Sequence, residues 1–336
     1  MSAILVAMLC FGSPLAAKEP QTSIFSPRSA PAHSISSLSY FTLAITGLIF
    51  VVVAGLLLYA IIRFRRRSTD DGSEPPQIFG STQIELSWTI IPVLIVIVIF
   101  LTTARVTFDI QDAPKPKSAV DVTVIGHQFW WEVRYPALQV TTANELHVPV
   151  SVPSAPTPAF IKLSSADVIH SFWVPELAGK VDLIPNRINE IWISPEVAGL
   201  YKGQCAQFCG AEHALMLLRV YADTPEDFAT WIRQQQSPAA APTSGAALRG
   251  RKQFETQACI NCHAVEGTVA NGRFGPDLTH LMSRDTLASG AAANTQENLA
   301  RWIDNPDTFK HGSLMPSMHL TKTQIDEITA YLVTLK

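Results

Sequence analysis

The 336-residue chain carries 25 Lys and Arg against 28 Asp and Glu, a formal net charge of −3. That balance excludes a nucleic-acid binder, which would show a basic stripe. The mean hydropathy of +0.19 is high for a soluble protein, and the apolar excess sits near the N-terminus.

Residues 1–17, MSAILVAMLCFGSPLAA, are short, apolar and end in small residues, so they read as a signal peptide. The missing basic n-region leaves an uncleaved apolar tail as the alternative. Two longer runs follow, Leu38 to Ile62 and Trp88 to Val106, the second interrupted only by Arg105. Each has the length that crosses a bilayer, and neither shows the polar face of a buried core helix. Arg63, Arg65, Arg66 and Arg67 directly follow the first run. Short basic loops stay in the cytoplasm, which puts the 63–87 loop inside and everything after about residue 107 on the outer face. Residues 18–110 therefore read as a transmembrane hairpin.

From Val120 to Ala222, short β-rich stretches recur: VDVTVIG, QFWWEVRY, ELHVPV, AFIKL, EIWIS and LMLLRVY. Turn-forming Pro, Asn and Gly separate them, which predicts an all-β sandwich or barrel within 111–233. Residues 234–247, QQQSPAAAPTSGAA, have nothing to bury and read as a linker. The last piece, 248–336, reads as a small helical domain. Its final segment puts Ile325, Ile328, Leu332 and Leu335 on one face.

The five cysteines are Cys10, Cys205, Cys209, Cys259 and Cys262. Four form two tight pairs, a pattern of metal or heme chemistry more than of a disulfide framework. The first pair lies in Cys205-Ala-Gln-Phe-Cys209-Gly-Ala-Glu-His213-Ala-Leu-Met216. Two thiols, an imidazole and a thioether in one loop suit copper, and His170 upstream would add a second imidazole. Structural zinc would accept two Cys and two His but would not need Met216. A Cys205–Cys209 disulfide outside the cell is the other alternative.

The stretch Gly-Leu-Tyr-Lys-Gly-Gln-Cys-Ala-Gln-Phe-Cys-Gly over 199–210, with His213 and Met216, resembles the CuA loop of cytochrome c oxidase subunit 2. Asp167-Val-Ile-His170-Ser and Ile184-Pro-Asn-Arg187 share that likeness, which covers roughly residues 38–222. The resemblance implies a cupredoxin-like Greek-key domain behind the hairpin. It implies two coppers sharing both thiolates, held by His170, Cys205, Cys209, His213, Met216 and the carbonyl of Gln207. It also implies a catalytic partner, subunit 1, that holds the oxygen-reducing centre. Many relatives have Glu at the Gln207 position, where it reaches a magnesium at the subunit interface. An amide is a poorer ligand for that hard cation, so the magnesium is in doubt here.

Cys259-Ile-Asn-Cys262-His263 fits the c-type heme attachment motif, against a thioredoxin-like pair or a chance match. Gly275-Pro276-Asp277-Leu278 follows at the distance where class I cytochromes c place a proline carbonyl that orients the ligating histidine. Lys310-His311-Gly312-Ser-Leu-Met315-Pro316 resembles their distal-ligand loop, so His263 and Met315 are the expected axial pair, with Met318 as the competing thioether. His280, His311 and His319 read as surface histidines. Gly250, Phe254 and Tyr331 resemble the crossed-helix contact of that class.

Gly126-His127-Gln128-Phe129-Trp130-Trp131 resembles the aromatic stretch where relatives receive electrons from a separate cytochrome c. Phe129 replaces their usual tryptophan, and an ordinary aromatic strand explains the stretch equally well. Glu85, just ahead of Trp88, stands where the family marks a proton-channel entrance, although an acid at a helix start is also ordinary dipole chemistry. The expectation is a plasma-membrane oxidase subunit that relays electrons from an external donor, a cytochrome c or an upstream respiratory complex, through heme c and CuA. A nitric oxide reductase subunit of the same superfamily and a freestanding membrane-tethered carrier are the rivals. A non-redox copper-delivery protein is disfavoured by the heme motif.

Overall fold

The computed structural model describes residues 22–66, 72, 74, 77 and 79–336. The expected leader over 1–17, Cys10 and Arg67 lie outside them.

Two long helices come first, α1 (Ala30–Arg63) and α2 (Thr82–Gln111). Each holds an 18-residue window of mean hydropathy 2.7 or 2.6 with no residue buried. Such all-round apolar helices satisfy their own backbone and leave their side chains for lipid. Both outrun the apolar runs that announced them. The reason for α1 is that its first turns pack on protein: Pro31, Ala32 and Ser36 are buried. Ser29 Oγ, at its N-terminal edge, accepts from Ser194 N at 2.9 Å. At the far end of α2, Trp192 Nε1 donates to the Ile110 carbonyl at 2.8 Å. The hairpin is thereby seated on the domain that follows.

That domain is a sandwich of two five-stranded sheets. Its strands are β1 (Val120–His127), β2 (Trp130–Tyr135), β3 (Val140–Ala143), β4 (Glu145–Pro149) and β5 (Ala159–Ser165), then β6 (His170–Trp173), β7 (Val181–Leu183), β8 (Asn189–Ile193), β9 (Gly199–Cys205) and β10 (Leu217–Asp223). One sheet runs β3-β2-β1-β5-β8 and the other β4-β10-β9-β6-β7. Alternation sets the faces: Val122 and Val124 point inward from β1, and Leu218, Val220 and Ala222 from β10. Trp131, Tyr135, Leu146, Phe172 and Met216 are fully buried between the sheets. Each such side chain contributes about 1.5–3 kcal/mol on burial. Every β-rich stretch read from the sequence forms a strand. The strands β3, β6, β7 and β9 carry no clear alternating signal, because they are short or contain Gly and polar residues.

Helix α3 (Pro225–Gln235) closes the sandwich, capped by Thr224, whose Oγ1 accepts from Asp227 N. The helical module then contains α4 (Gly245–Thr256), the single turn α5 (Cys259–Cys262), α6 (Gln296–Asp304) and α7 (Lys322–Leu332). A reciprocal Thr321–Gln324 capping box starts α7. Its Ile325, Ile328 and Leu332 are buried, as is Leu335 beyond its end.

Helices α4 and α7 cross at Gly250. A Cβ there would lie 1.8 Å from the Glu327 carbonyl oxygen and 3.0 Å from Tyr331 Cβ. Beside it the Phe254 and Tyr331 rings meet at 5.8 Å. Gly250→Ala is therefore expected to destabilise the helical module by about 3 kcal/mol through overpacking. Thermal unfolding followed by the circular dichroism of the helices would show it, and an unchanged midpoint would contradict this crossing.

His280 departs from its expected place. It is only 4 % exposed, and its Nδ1 lies 2.8 Å from the main-chain oxygen of Lys336. The bond to Lys336 draws inward a histidine whose local polarity predicts a place outside. His311 and His319 are exposed as expected.

Candidate metal and heme centres

The first site gathers at one end of the sandwich. His170 opens β6 and is fully buried. Cys205 ends β9, and Met216 precedes β10. The Cys205 N–H donates to the Met216 carbonyl at 3.0 Å, so the β9–β10 ladder holds the neck of the loop. A 3₁₀ turn beginning at His213 folds that loop back.

The donor atoms converge. Cys205 Sγ lies 3.9 Å from His170 Nδ1, 3.9 Å from Cys209 Sγ and 3.2 Å from the Gln207 carbonyl oxygen. Cys209 Sγ lies 3.7 Å from His213 Nδ1 and 3.9 Å from Met216 Sδ. A disulfide would need about 2.05 Å between the sulfurs. Two thiolates on one tetrahedral metal, with bonds of about 2.3 Å, sit roughly 3.8 Å apart. The spacing fits a shared metal and leaves both cysteines free of a bridge to each other. His170, Cys205 and Cys209 are all buried, with ligand atoms within 4.8 Å of one another. Soft sulfur beside imidazole and thioether suits copper.

The surrounding groups aim these ligands. Asp167 Oδ1 lies 2.8 Å from His170 Nε2 and turns Nδ1 toward the sulfurs. Burial would raise the Asp167 carboxyl. Hydrogen bonds from His170 and from the N–H groups of Gln128 and Val168 outweigh it and hold that carboxyl below its usual range. Contact with Cys209 pulls the Cys205 thiol far down toward thiolate. Gln128 Nε2 donates to the Cys209 carbonyl at 2.6 Å, bracing the loop from β1.

The second site is a cavity of about 230 Å³ in the helical module, lined largely by apolar side chains. Cys259, Cys262, His263, Met315 and Met318 all border it. The two cysteines sit on the one-turn helix α5, free and half-buried, which presents both thiols to one side. His263 Nδ1 lies 2.7 Å from the Pro276 carbonyl oxygen, leaving the opposite ring nitrogen for a ligand. A Cβ on Gly275 would come within 2.6 Å of the His263 ring, so only glycine lets this loop lie so close. An apolar slot with two thiols at its mouth and a steered imidazole fits a covalently held heme.

Three family likenesses accompany this geometry. The transmembrane domain of cytochrome c oxidase subunit II matches residues 19–106. Its periplasmic domain matches 141–222, and cytochrome c matches 247–336. Cytochrome c oxidase subunit 2 of Alkalihalophilus pseudofirmus is 32 % identical over 95 % of this chain and 92 % of the relative. The chain belongs to the cytochrome c oxidase subunit 2 family. The protein of the same name from Bacillus sp. PS3 is 31 % identical over 81 % of this chain and 80 % of its own length. The crystal structure of the periplasmic domain of cytochrome oxidase subunit II from Bradyrhizobium japonicum is 28 % identical (TM-score 0.34), covering 37 % of this chain and 96 % of that one. As a subunit 2, this chain is a membrane component of a heme-copper oxidase, working beside its catalytic subunit. Its cupredoxin-like sandwich is the copper-binding part, and the fused helical module is a cytochrome c domain.

The aromatic stretch divides in the fold. Trp131 turns into the sandwich core, fully buried. Phe129 and Trp130 instead border the heme cavity, together with Gln128. Trp130 is 8 % exposed and stacks on His127 at 4.3 Å. Glu85 lies in the first turn of α2, exposed. Several residues of this region gave no signal in the sequence. Gln128 braces the thiolate loop, and Lys310 Nζ donates to the Phe129 carbonyl at 3.0 Å across the two modules. Arg284 also bonds Thr142, and Thr286 bonds Glu145, between the modules. Partners 81 or more residues apart leave no spacing pattern to read.

Proposed function

We propose that this subunit is a two-stage electron relay, heme first and copper second. Cys259 and Cys262 would anchor one c heme, with His263 and Met315 as its axial ligands. His170, Cys205, the Gln207 carbonyl, Cys209, His213 and Met216 would hold two coppers. Held by these residues, the heme and the copper pair would supply one-electron redox chemistry, so that electrons from outside would reach a catalytic subunit that reduces oxygen to water with proton translocation.

One observation carries the order. Gln128 and Phe129 lie between the sites: Gln128 bonds the Cys209 carbonyl, Phe129 accepts from Lys310, and both border the heme cavity. The helical module thus covers the aromatic stretch where a separate cytochrome would dock. Electrons from an external cytochrome c or respiratory complex would enter through the fused heme instead.

The basic loop after α1 gives the orientation. Both folded modules lie on the periplasmic side of the plasma membrane, with 111–233 as the copper domain, 234–247 as the linker and 248–336 as the heme domain. Glu85 sits at the cytoplasmic mouth of the second span as the proton-entry acid. Gln207, an amide, binds magnesium weakly or not at all.

The test is the metal content and reduction order of the full chain purified in mild detergent. Two coppers and one covalent heme are expected, with the heme reduced before the copper. A copper-free product, copper reduced first, or a partner that reduces nitric oxide rather than oxygen would overturn the reading.

A further inference from the structure

A hydrogen-bonded seam, and not only the linker, joins the two modules. Its centre is Glu145 at the start of β4, 2 % exposed. One carboxylate oxygen accepts from the Asp285 N–H at 3.0 Å. The other accepts from the Thr286 N–H at 2.9 Å and the Thr286 hydroxyl at 2.8 Å. All three donors belong to the helical module. Beside them, Arg284 Nε donates to Thr142 Oγ1 at 3.3 Å, and the Tyr221 hydroxyl donates to the Asp285 carboxylate at 2.6 Å. The Ser289 hydroxyl donates to the Leu217 carbonyl at 2.8 Å. On the far side of the seam Lys310 reaches Phe129.

A carboxylate withdrawn from water is costly unless donors replace the water. Burial pushes the Glu145 carboxyl up, and the Asp285 and Thr286 bonds oppose that shift. The separated modules would expose Glu145 and strip it of these donors. Charge-assisted hydrogen bonds of this kind are about twice as strong as neutral ones.

We infer that Glu145 is a positioning residue that clasps the 285–286 turn, so that the helical module stays docked with Gln128, Phe129 and Trp130 closing its cavity. This rests on the proposed heme-to-copper route and adds that transfer runs from one fixed pose. A domain swinging on a linker would meet its target at a concentration set by linker length. Its rate would also respond to salt, which screens charges between the parts. A clasped domain has the competent pose always populated and shows neither dependence.

The experiment uses the full chain in detergent with heme and copper loaded. In the native chain, rapid photoreduction of the heme is expected to give one exponential phase of copper reduction, insensitive to salt. Glu145→Ala is expected to slow that phase about tenfold as the docked fraction falls, and to make it salt-sensitive. Heme absorption, copper content and reduction of the heme from outside should keep native values. Glu145→Gln retains one acceptor oxygen but turns an amide donor toward the Asp285 N–H, so its rate should fall between the two. A measurement that needs no variant is amide exchange: Asp285 and Thr286 in the native chain should be as protected as the core strands. A native, salt-insensitive rate in Glu145→Ala, or freely exchanging Asp285 and Thr286 amides, overturns the clasp. If the native chain shows no heme-to-copper transfer at all, the proposed route fails instead, and the exchange result alone decides the clasp.

Discussion

Replacing Cys209 by serine is expected to yield a chain with its full heme absorption and no copper–thiolate absorption. Cys209 Sγ stands among three proposed donors: Cys205, His213 and Met216 all lie within 3.9 Å of it. A serine hydroxyl stays protonated at neutral pH and is a hard donor, whereas copper in its reduced form needs soft thiolate. Loss of an outer-shell partner alone typically costs 10–100-fold in metal affinity. Loss of a shared thiolate should exceed that, leaving copper below roughly a tenth of its native content. The assembled oxidase should then take electrons into its heme and pass none onward. Optical spectra with metal analysis check this, and unchanged copper absorption in Cys209→Ser would defeat the assignment. Cys209 lies in the loop after β9 rather than in a strand, and serine has nearly the same volume, so folding should survive the exchange.

Met315→Ala is expected to lower the reduction potential of the heme by about 0.1 V or more, since thioether ligation raises it and axial ligands span about 0.8 V in all. For a one-electron couple each 59 mV is tenfold, so a fall of about 120 mV tilts electron sharing toward copper about a hundredfold. Electrons would leave the heme readily, but a donor of unchanged potential would fill it poorly. Turnover with an external donor should fall while turnover with a strong chemical reductant persists. Met318 borders the same cavity, so Met318→Ala is the control and should leave the potential near its native value. Potentiometric titration of both variants decides between them. A fall in Met318→Ala with none in Met315→Ala would hand the axial role to Met318.

Much of this was local enough to read along the chain. The apolar runs announce α1 and α2 because a bilayer-crossing helix satisfies its backbone internally and needs no partner. Cys205, Cys209, His213 and Met216 share one loop, and Cys259, Cys262 and His263 share one turn, so spacing alone displays their chemistry. Alternation found the regular strands and passed over β7 and β9, whose apolar pattern is broken by Asp, Gly and Gln. His280 reads as a surface residue because its partner, the main-chain oxygen of Lys336, is 56 residues away.

Sequence alone thus determined the two membrane helices, the β-rich and helical modules, and which side chains are the candidates for metal and heme chemistry. Each is written in a contiguous stretch whose period or spacing has a direct physical meaning. Folding alone decided that His170 joins the thiolate loop at 3.9 Å from Cys205, that Trp131 faces the core while Phe129 and Trp130 face the heme cavity, and that Glu145 clasps the helical module. Those outcomes depend on which surfaces meet when two sheets close and two modules dock. The donors that satisfy a buried carboxylate come from a turn about 140 residues away, with no local pattern to announce them.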